Sequence, residues 1–149
     1  MPQTAEPGTL SAEQLEALRG AAAKAAQNAY APYSRFFVGA AVLLENGATV
    51  CGCNVENVSF RLTCCAEQTA IARAVTEHGP GVRIVAVAVA NADPTVACQP
   101  CGACRQTIAE FADGTCRILY PGDGGTAGEC TLADLLPASF NVTSLPQLL

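Results

Sequence analysis

Residues 82–90 read VRIVAVAVA. The run is short, nearly continuous in apolar residues and rich in valine, as expected for a strand covered on both faces. A strand covered twice needs helices above and below its sheet. The flanking sequence supplies them. Upstream, Cys64 to about Glu77 carries helix formers, and Ala66, Ala70, Ile71, Ala74 and Val75 make one apolar stripe. Gly79-Pro80 ends that helix in the usual order. Downstream, a loop over Asn91–Pro100 leads to a second predicted helix from Cys101 to Ala112, then a strand over Thr115–Tyr120. A Gly-rich turn, PGDGG, follows, and Thr131-Leu-Ala-Asp134 opens a short helix that stops before Pro137.

Toward the N-terminus, Val38–Leu44 and Thr49–Val55 flank Asn46-Gly47, the strongest short hairpin signal. Gly39 and Gly52 inside these strands suggest close backbone approach or a bulge. Ser11 and Gln14 form a capping-box pattern. Behind it Leu15, Leu18, Ala22, Ala25, Ala26 and Ala29 share a helical face, and the helix is expected to end near Tyr30, before Pro32. The order is α, β-hairpin, α, β, α, β, short α. It predicts a three-layer α/β/α sandwich with a mixed sheet. At 149 residues the chain is expected to be one domain, with a flexible lead-in over 1–10 and a tail over 143–149.

Half the residues are hydrophobic and mean hydropathy is +0.28, which suggests surface buried between subunits. The net charge of −5 and a pI near 4.7 argue against a polynucleotide partner, since phosphate neutralisation needs a basic face. A small or neutral substrate is favoured. No apolar run reaches the roughly 18–20 residues that span a bilayer. The N-terminal MPQTAEPGTL does not read as a secretory signal, so a cytoplasmic location is expected. Nine cysteines in such a chain argue for thiols or a metal rather than disulfides.

Two cysteine motifs carry chemistry. In Pro100-Cys101-Gly-Ala-Cys104 the thiols stand at i and i+3, on one helical face. Cys65 lies at the start of the upstream helix. Helix N-termini favour thiolates, so two of them can aim three sulfurs at one point. A zinc ion suits it, because zinc accepts sulfur and its catalytic sites keep a fourth position open. Glu67 stands two residues after Cys65 and is not needed as a ligand; beside an open position it can move protons. Cys51, Cys53, Cys64, Cys116 and Cys130 read as small buried hydrophobes. Cys98-x-x-Cys101-x-x-Cys104 opens like an iron–sulfur run, but position 108 is Ile108 where a further cysteine is required. A closed four-cysteine zinc site using Cys64 or Cys98 stays open at this point. His78, at a helix C-terminus, is not expected to be a ligand.

The whole string resembles the homotetrameric cytidine deaminases of the cytidine/deoxycytidylate deaminase superfamily. Tyr33-Ser-Arg-Phe36 with Val38-Gly-Ala-Ala41, Gly52-Cys-Asn54-Val-Glu56-Asn57, Cys65-Ala-Glu67 and Pro100-Cys101-Gly-Ala-Cys104-Arg105-Gln106 carry the likeness, and Leu135–Phe140 extends it. The resemblance implies a sheet of about five strands. It also implies zinc-dependent hydrolytic deamination of cytidine and deoxycytidine to uridine and deoxyuridine, with release of ammonia, in pyrimidine salvage. Cys65, Cys101 and Cys104 would bind zinc and Glu67 would shuttle protons. Asn54 and Glu56 would hold the ribose, and Phe36 would pack on the base. The Ala66 N–H would meet the base carbonyl. Phe140 would complete a neighbouring subunit's pocket. Arg105 and Gln68 would stand behind the ligands. Many relatives carry arginine after the catalytic glutamate; this chain has Gln68 there, and Arg61 is a further cation near the motif. Phe60 stands where tyrosine is common. Rival readings are a deaminase of a modified nucleoside or a blasticidin-like antibiotic, and a non-catalytic zinc-binding module.

Overall fold

Side-chain alternation inside the central strand sorts the two faces of the sheet. The computed structural model describes residues 9–141, and the run around VRIVAVAVA forms β3, Ile84–Asn91. Val87 and Val89 point into one core cluster, with Ala70, Ile71 and Ile108 of the helices on that side. Ala86 and Ala88 point the other way, against Leu18 and Ala22 of the first helix. The valine face fills space between two helices, while the alanine face lets one helix lie close.

The elements run α1 (Ala12–Ala26), β1 (Val38–Leu44), β2 (Thr49–Cys53), α2 (Ala66–His78), β3, α3 (Gly102–Phe111), β4 (Arg117–Pro121), β5 (Ala127–Thr131) and α4 (Leu132–Leu135). Sheet order is β2-β1-β3-β4-β5. The β3–β4 pair is parallel and the other three pairs are antiparallel, so the sheet is mixed as expected. β1 is buried along its whole length because it sits between β2 and β3 and under helices on both sides. Capping boxes open α1 at Ser11, as the sequence pattern predicts, and α4 at Thr131, where the sequence pattern predicts a helix start.

Two glycines set the layer spacing. A Cβ on Gly39 would stand 2.1 Å from the Ala22 carbonyl of α1, and one on Gly52 would stand 2.4 Å from the Ala70 nitrogen of α2. They lie almost opposite each other across the β1–β2 ladder, where Gly39 pairs with Cys53 and Ala40 with Gly52. Each therefore serves a different face.

Several boundaries differ from the sequence reading. α1 ends at Ala26 rather than near Tyr30, because Tyr30 is drawn into extended pairing: its N–H donates to the Asn54 carbonyl at 3.0 Å. β2 stops at Cys53, and Val55 instead bridges Tyr30 and Cys64. α2 and α3 begin one residue after Cys65 and Cys101, which are their N-caps. Between the PGDGG turn and the short helix, where the sequence reading places no element, Ala127–Thr131 forms the fifth strand, half exposed at the sheet edge. Cys116 is buried as expected, but Cys51, Cys53 and Cys130 are only partly buried and Cys64 is exposed, since its short bridge to Val55 lies at the surface. The expected lead-in lies mostly, and the expected tail wholly, outside the described residues.

Candidate functional site

An N-cap residue has extended backbone while the following residues turn into the helix, so its side chain faces the unpaired N–H groups of the first turn. Cys65 and Cys101 both occupy this position, with ψ of 156° and 168°. Cys104 stands in the first turn of α3. The three sulfurs lie within 4.8 Å of one another. Tetrahedral zinc with Zn–S bonds of about 2.3 Å needs sulfurs a little under 4 Å apart, so the donor set fits a zinc ion with one position left over. Cys98 is not part of the cluster: it is buried beside it, and burial pushes its thiol up to about 11. No four-cysteine group forms among the described residues, which removes the closed structural site.

Without metal, Cys65 and Cys104 share a hydrogen bond that moves their thiols in opposite directions. Cys104 keeps its proton: its hydrogen bond with Cys65, and then burial, raise it. The same hydrogen bond, from Cys104, is the chief cause that draws Cys65 down to about 7. Cys104 Sγ also lies 3.3 Å from Glu67 Oε2. Glu67 is only 4 % exposed, and burial raises its carboxyl above the ordinary range. A buried carboxyl beside a metal site is placed to exchange protons with what that site binds.

These groups line a cavity of about 170 Å³. Phe36, Val38 and Asn54 form one wall, and Cys65, Ala66, Glu67, Cys101 and Cys104 the floor. Thr63, Cys98 and Gln99 also line it; the sequence reading gave none of these three, nor Val38, a place in the pocket. Asn54 is buried, accepts from the Val38 N–H at 2.9 Å and donates to the Phe36 carbonyl at 2.8 Å.

Four expected site residues do not line this cavity. Glu56 accepts from the N–H groups of Tyr33 at 2.9 Å and Ser34 at 3.2 Å, and from the Ser34 hydroxyl. The Ser34 bond is the first cause of its lowered carboxyl. Phe140 is 59 % exposed and outside its own chain's pocket, and its carbonyl accepts from Gln106 Nε2 at 2.9 Å. Gln68 caps α2: its Oε1 accepts from the Cys65 N–H at 3.3 Å. Arg105 donates to the Pro100 and Leu135 carbonyls, at 2.8 and 3.0 Å, and so ties the α3 N-terminus to the α4 C-terminus. The resemblance implies a place for it behind the ligands. Neither it nor exposed Arg61 donates to a cluster sulfur among the described residues.

Ser34 was quoted in the sequence without a role, because a loop serine carries no pattern of its own. Its hydroxyl joins Glu56 to the backbone of Phe36.

Comparison with known proteins places the chain. The model of the cytidine and deoxycytidylate deaminase zinc-binding region matches residues 12–120. A cytidine deaminase of Sporosarcina psychrophila is 43% identical over 131 residues, covering 88% of this chain and 94% of the relative. One from Mycobacterium tuberculosis is 45% identical over 130 residues, 87% and 92% of the two chains. Its crystal structure superposes with a TM-score of 0.75 at 42% identity, covering 85% of this chain and 97% of that one. A Burkholderia pseudomallei cytidine deaminase structure gives 0.76 at 40% identity, over 84% and 98%. With the sulfur cluster, the buried carboxylate and the cavity they share, these likenesses mean that the chain belongs to the zinc-dependent cytidine and deoxycytidylate deaminase family.

Proposed function

We propose that this chain is a cytidine deaminase that converts cytidine and deoxycytidine to uridine and deoxyuridine and releases ammonia. One observation carries the reading: a buried carboxylate, Glu67, lies at hydrogen-bond distance from one sulfur of a three-cysteine cluster, on the floor of a cavity with an aromatic wall.

Cys65, Cys101 and Cys104 hold the zinc ion in this reading. Zinc, when bound, supplies a Lewis acid that makes a water molecule acidic enough to serve as nucleophile near neutral pH. The residues of the chain do the rest. Glu67 takes a proton from the water and delivers it to N3 of the base as the hydroxide left behind adds to C4; it then moves the proton of the new C4 hydroxyl to the amine, which leaves as ammonia while the C4 carbonyl forms. Its buried position suits both directions of transfer. The Ala66 N–H holds the base carbonyl, and the Phe36 ring packs on the pyrimidine. Asn54 and Glu56 bind the ribose, Asn54 with the amide proton left after its bond to Phe36. Three thiolates and Zn²⁺ sum to a formal −1. The N-termini of α2 and α3 face that charge, while Arg105 and Gln68 brace the backbone around it.

The active unit is a homotetramer in which Phe140 closes a neighbour's pocket. Its exposure outside its own cavity supports this, as do the exposed apolar side chains of Val58, Phe60 and Leu62. The chain acts as one domain, on free nucleosides rather than nucleic acid, consistent with its charge of −5. Nine cysteines, all unpaired, suit the reducing cytoplasm and a place in pyrimidine salvage. No helix among the described residues is long and apolar enough to cross a membrane.

The test is turnover of cytidine by zinc-loaded protein, followed by ultraviolet absorbance with uridine identified as product. A panel including deoxycytidine, modified nucleosides and a blasticidin-like antibiotic fixes the substrate. Glu67→Gln should keep zinc and lose turnover by about 10²–10⁴-fold, the usual share of a general acid–base group. Zinc-loaded wild type without turnover on cytidine overturns the proposal.

A further inference from the structure

The segment from Tyr30 to Val38 is laced to residues 54–56 by polar contacts, and one side chain joins two of the groups assigned to the nucleoside. Ser34 Oγ donates to Glu56 Oε1 and accepts from the Phe36 N–H at 3.0 Å. A hydroxyl has one proton to give and lone pairs to accept with, so both bonds form together. Between them Arg35 is held at a φ of 59°, a region that non-glycine residues enter only when their surroundings impose it. From the other side Asn54 Nδ2 holds the Phe36 carbonyl at 2.8 Å. The Phe36 backbone is thus gripped on both sides, by Ser34 at its nitrogen and by Asn54 at its carbonyl oxygen.

We infer that Ser34 is a positioning residue: it fixes the Phe36 wall and the Glu56 carboxylate relative to each other, so that the base-packing and ribose-binding groups act as one preformed surface. The inference rests on the nucleoside reading of Phe36 and Glu56. Ser34 itself touches no reacting atom. Its removal leaves the Phe36 N–H without this partner, loosens the left-handed turn at Arg35, and leaves Glu56 held through Oε2 alone, by the Tyr33 and Ser34 N–H groups. None of these changes reaches Glu67 or the sulfur cluster, so binding is weakened and the chemical step is spared.

Ser34→Ala, Ser34→Thr, Glu56→Gln, Phe36→Ala and the double variant Ser34→Ala/Glu56→Gln are made, and their folding is checked by circular dichroism. KM and kcat for cytidine and the Kd of uridine are measured for each. Ser34→Ala should raise KM and the uridine Kd about tenfold, as loss of one charge-assisted hydrogen bond implies. Its kcat should stay within about twofold of wild type, the signature of lost ground-state binding. Ser34→Thr, which keeps the hydroxyl, should restore both constants. In the Glu56→Gln background Ser34→Ala should cost less than in wild type, because one of its two partners is already altered. A fall in kcat at unchanged KM, failure of threonine to rescue, or effects that multiply would overturn the inference. If Glu56→Gln and Phe36→Ala leave uridine binding unchanged, the nucleoside reading fails. If they weaken it and Ser34→Ala does not, the Ser34 inference alone fails.

Discussion

Gly52→Ala and Gly39→Ala are perturbations of equal size on opposite faces of one hairpin. A methyl group on residue 52 meets the Ala70 nitrogen at 2.4 Å and the Ala66 carbonyl at 2.8 Å, against ordinary contacts that begin at 3.4 Å. The shortfall is about 1 Å, and the obstacle is backbone, which cannot rotate away. The first turn of α2 must move outward, and it carries Cys65 at its N-cap and Glu67 within it. On residue 39 the methyl meets the Ala22 carbonyl at 2.1 Å and the Ala26 nitrogen at 2.3 Å, both in α1, which holds no site residue. Overpacking costs about 1–3 kcal/mol in either case, visible as a lower thermal midpoint. Only Gly52→Ala should also displace the reacting groups, and a shift of about 1 Å can cost on the order of 10²-fold in rate. Turnover of cytidine and the rate of zinc release to a chromogenic chelator are measured in both variants, at a temperature where both are folded. Gly52→Ala should lose turnover by about 10²-fold and release zinc faster, while Gly39→Ala stays within about threefold of wild type. Equal losses in both variants, or wild-type turnover in a folded Gly52→Ala protein, would refute the reasoning.

Replacing Gln68 by arginine takes away the oxygen that caps the Cys65 N–H and adds charge behind the sulfurs, so zinc affinity or kcat should change by about 10–100-fold; a variant indistinguishable in both would refute this. Metal-free protein treated with iodoacetamide should be alkylated at Cys65 well before Cys98, held near 11, or Cys116, held near 12 by burial, as mass spectrometry can read. Because the reactive form is the thiolate, Cys65 labelling should climb as pH rises towards about 7 and level off above it, and added zinc should suppress it. Phe140→Ala mixed with an inactive Glu67→Gln partner, with subunits allowed to exchange, tests the shared pocket. Activity regained above that of either variant alone supports sharing, and its absence in verified mixed tetramers counts against it.

Much of this was legible in the sequence. Periodicity placed three helices and four strands, since each buries a continuous stripe or face. Ala127–Thr131 escaped because an edge strand with half its side chains in solvent needs no apolar alternation. The cysteine motifs alone point to the sulfur cluster, as helix N-termini dictate where their caps point. The roles of Glu56, Ser34 and Arg105 were not legible in detail. Each depends on hydrogen bonds to loop backbone that is distant in sequence: Glu56 reaches back to Tyr33 and Ser34, and Arg105 forward to Leu135. The outward turn of Cys64 likewise follows from its bridge to Val55, which composition does not encode.

The placement of the sulfurs at the ends of two helices has a consequence for the order of folding. Cys101 and Cys104 are local to each other and offer a metal two donors; the third, Cys65, lies on a helix that precedes β3 in the chain. Between the two motifs the chain must complete α2, lay β3 beside β1 and return over the same face before α3 arrives. Tight capture of zinc therefore waits for α2 and α3 to dock, and the ion then locks the contact between them. Zinc uptake, followed in time during refolding, becomes a clock for the closing of that face of the sheet.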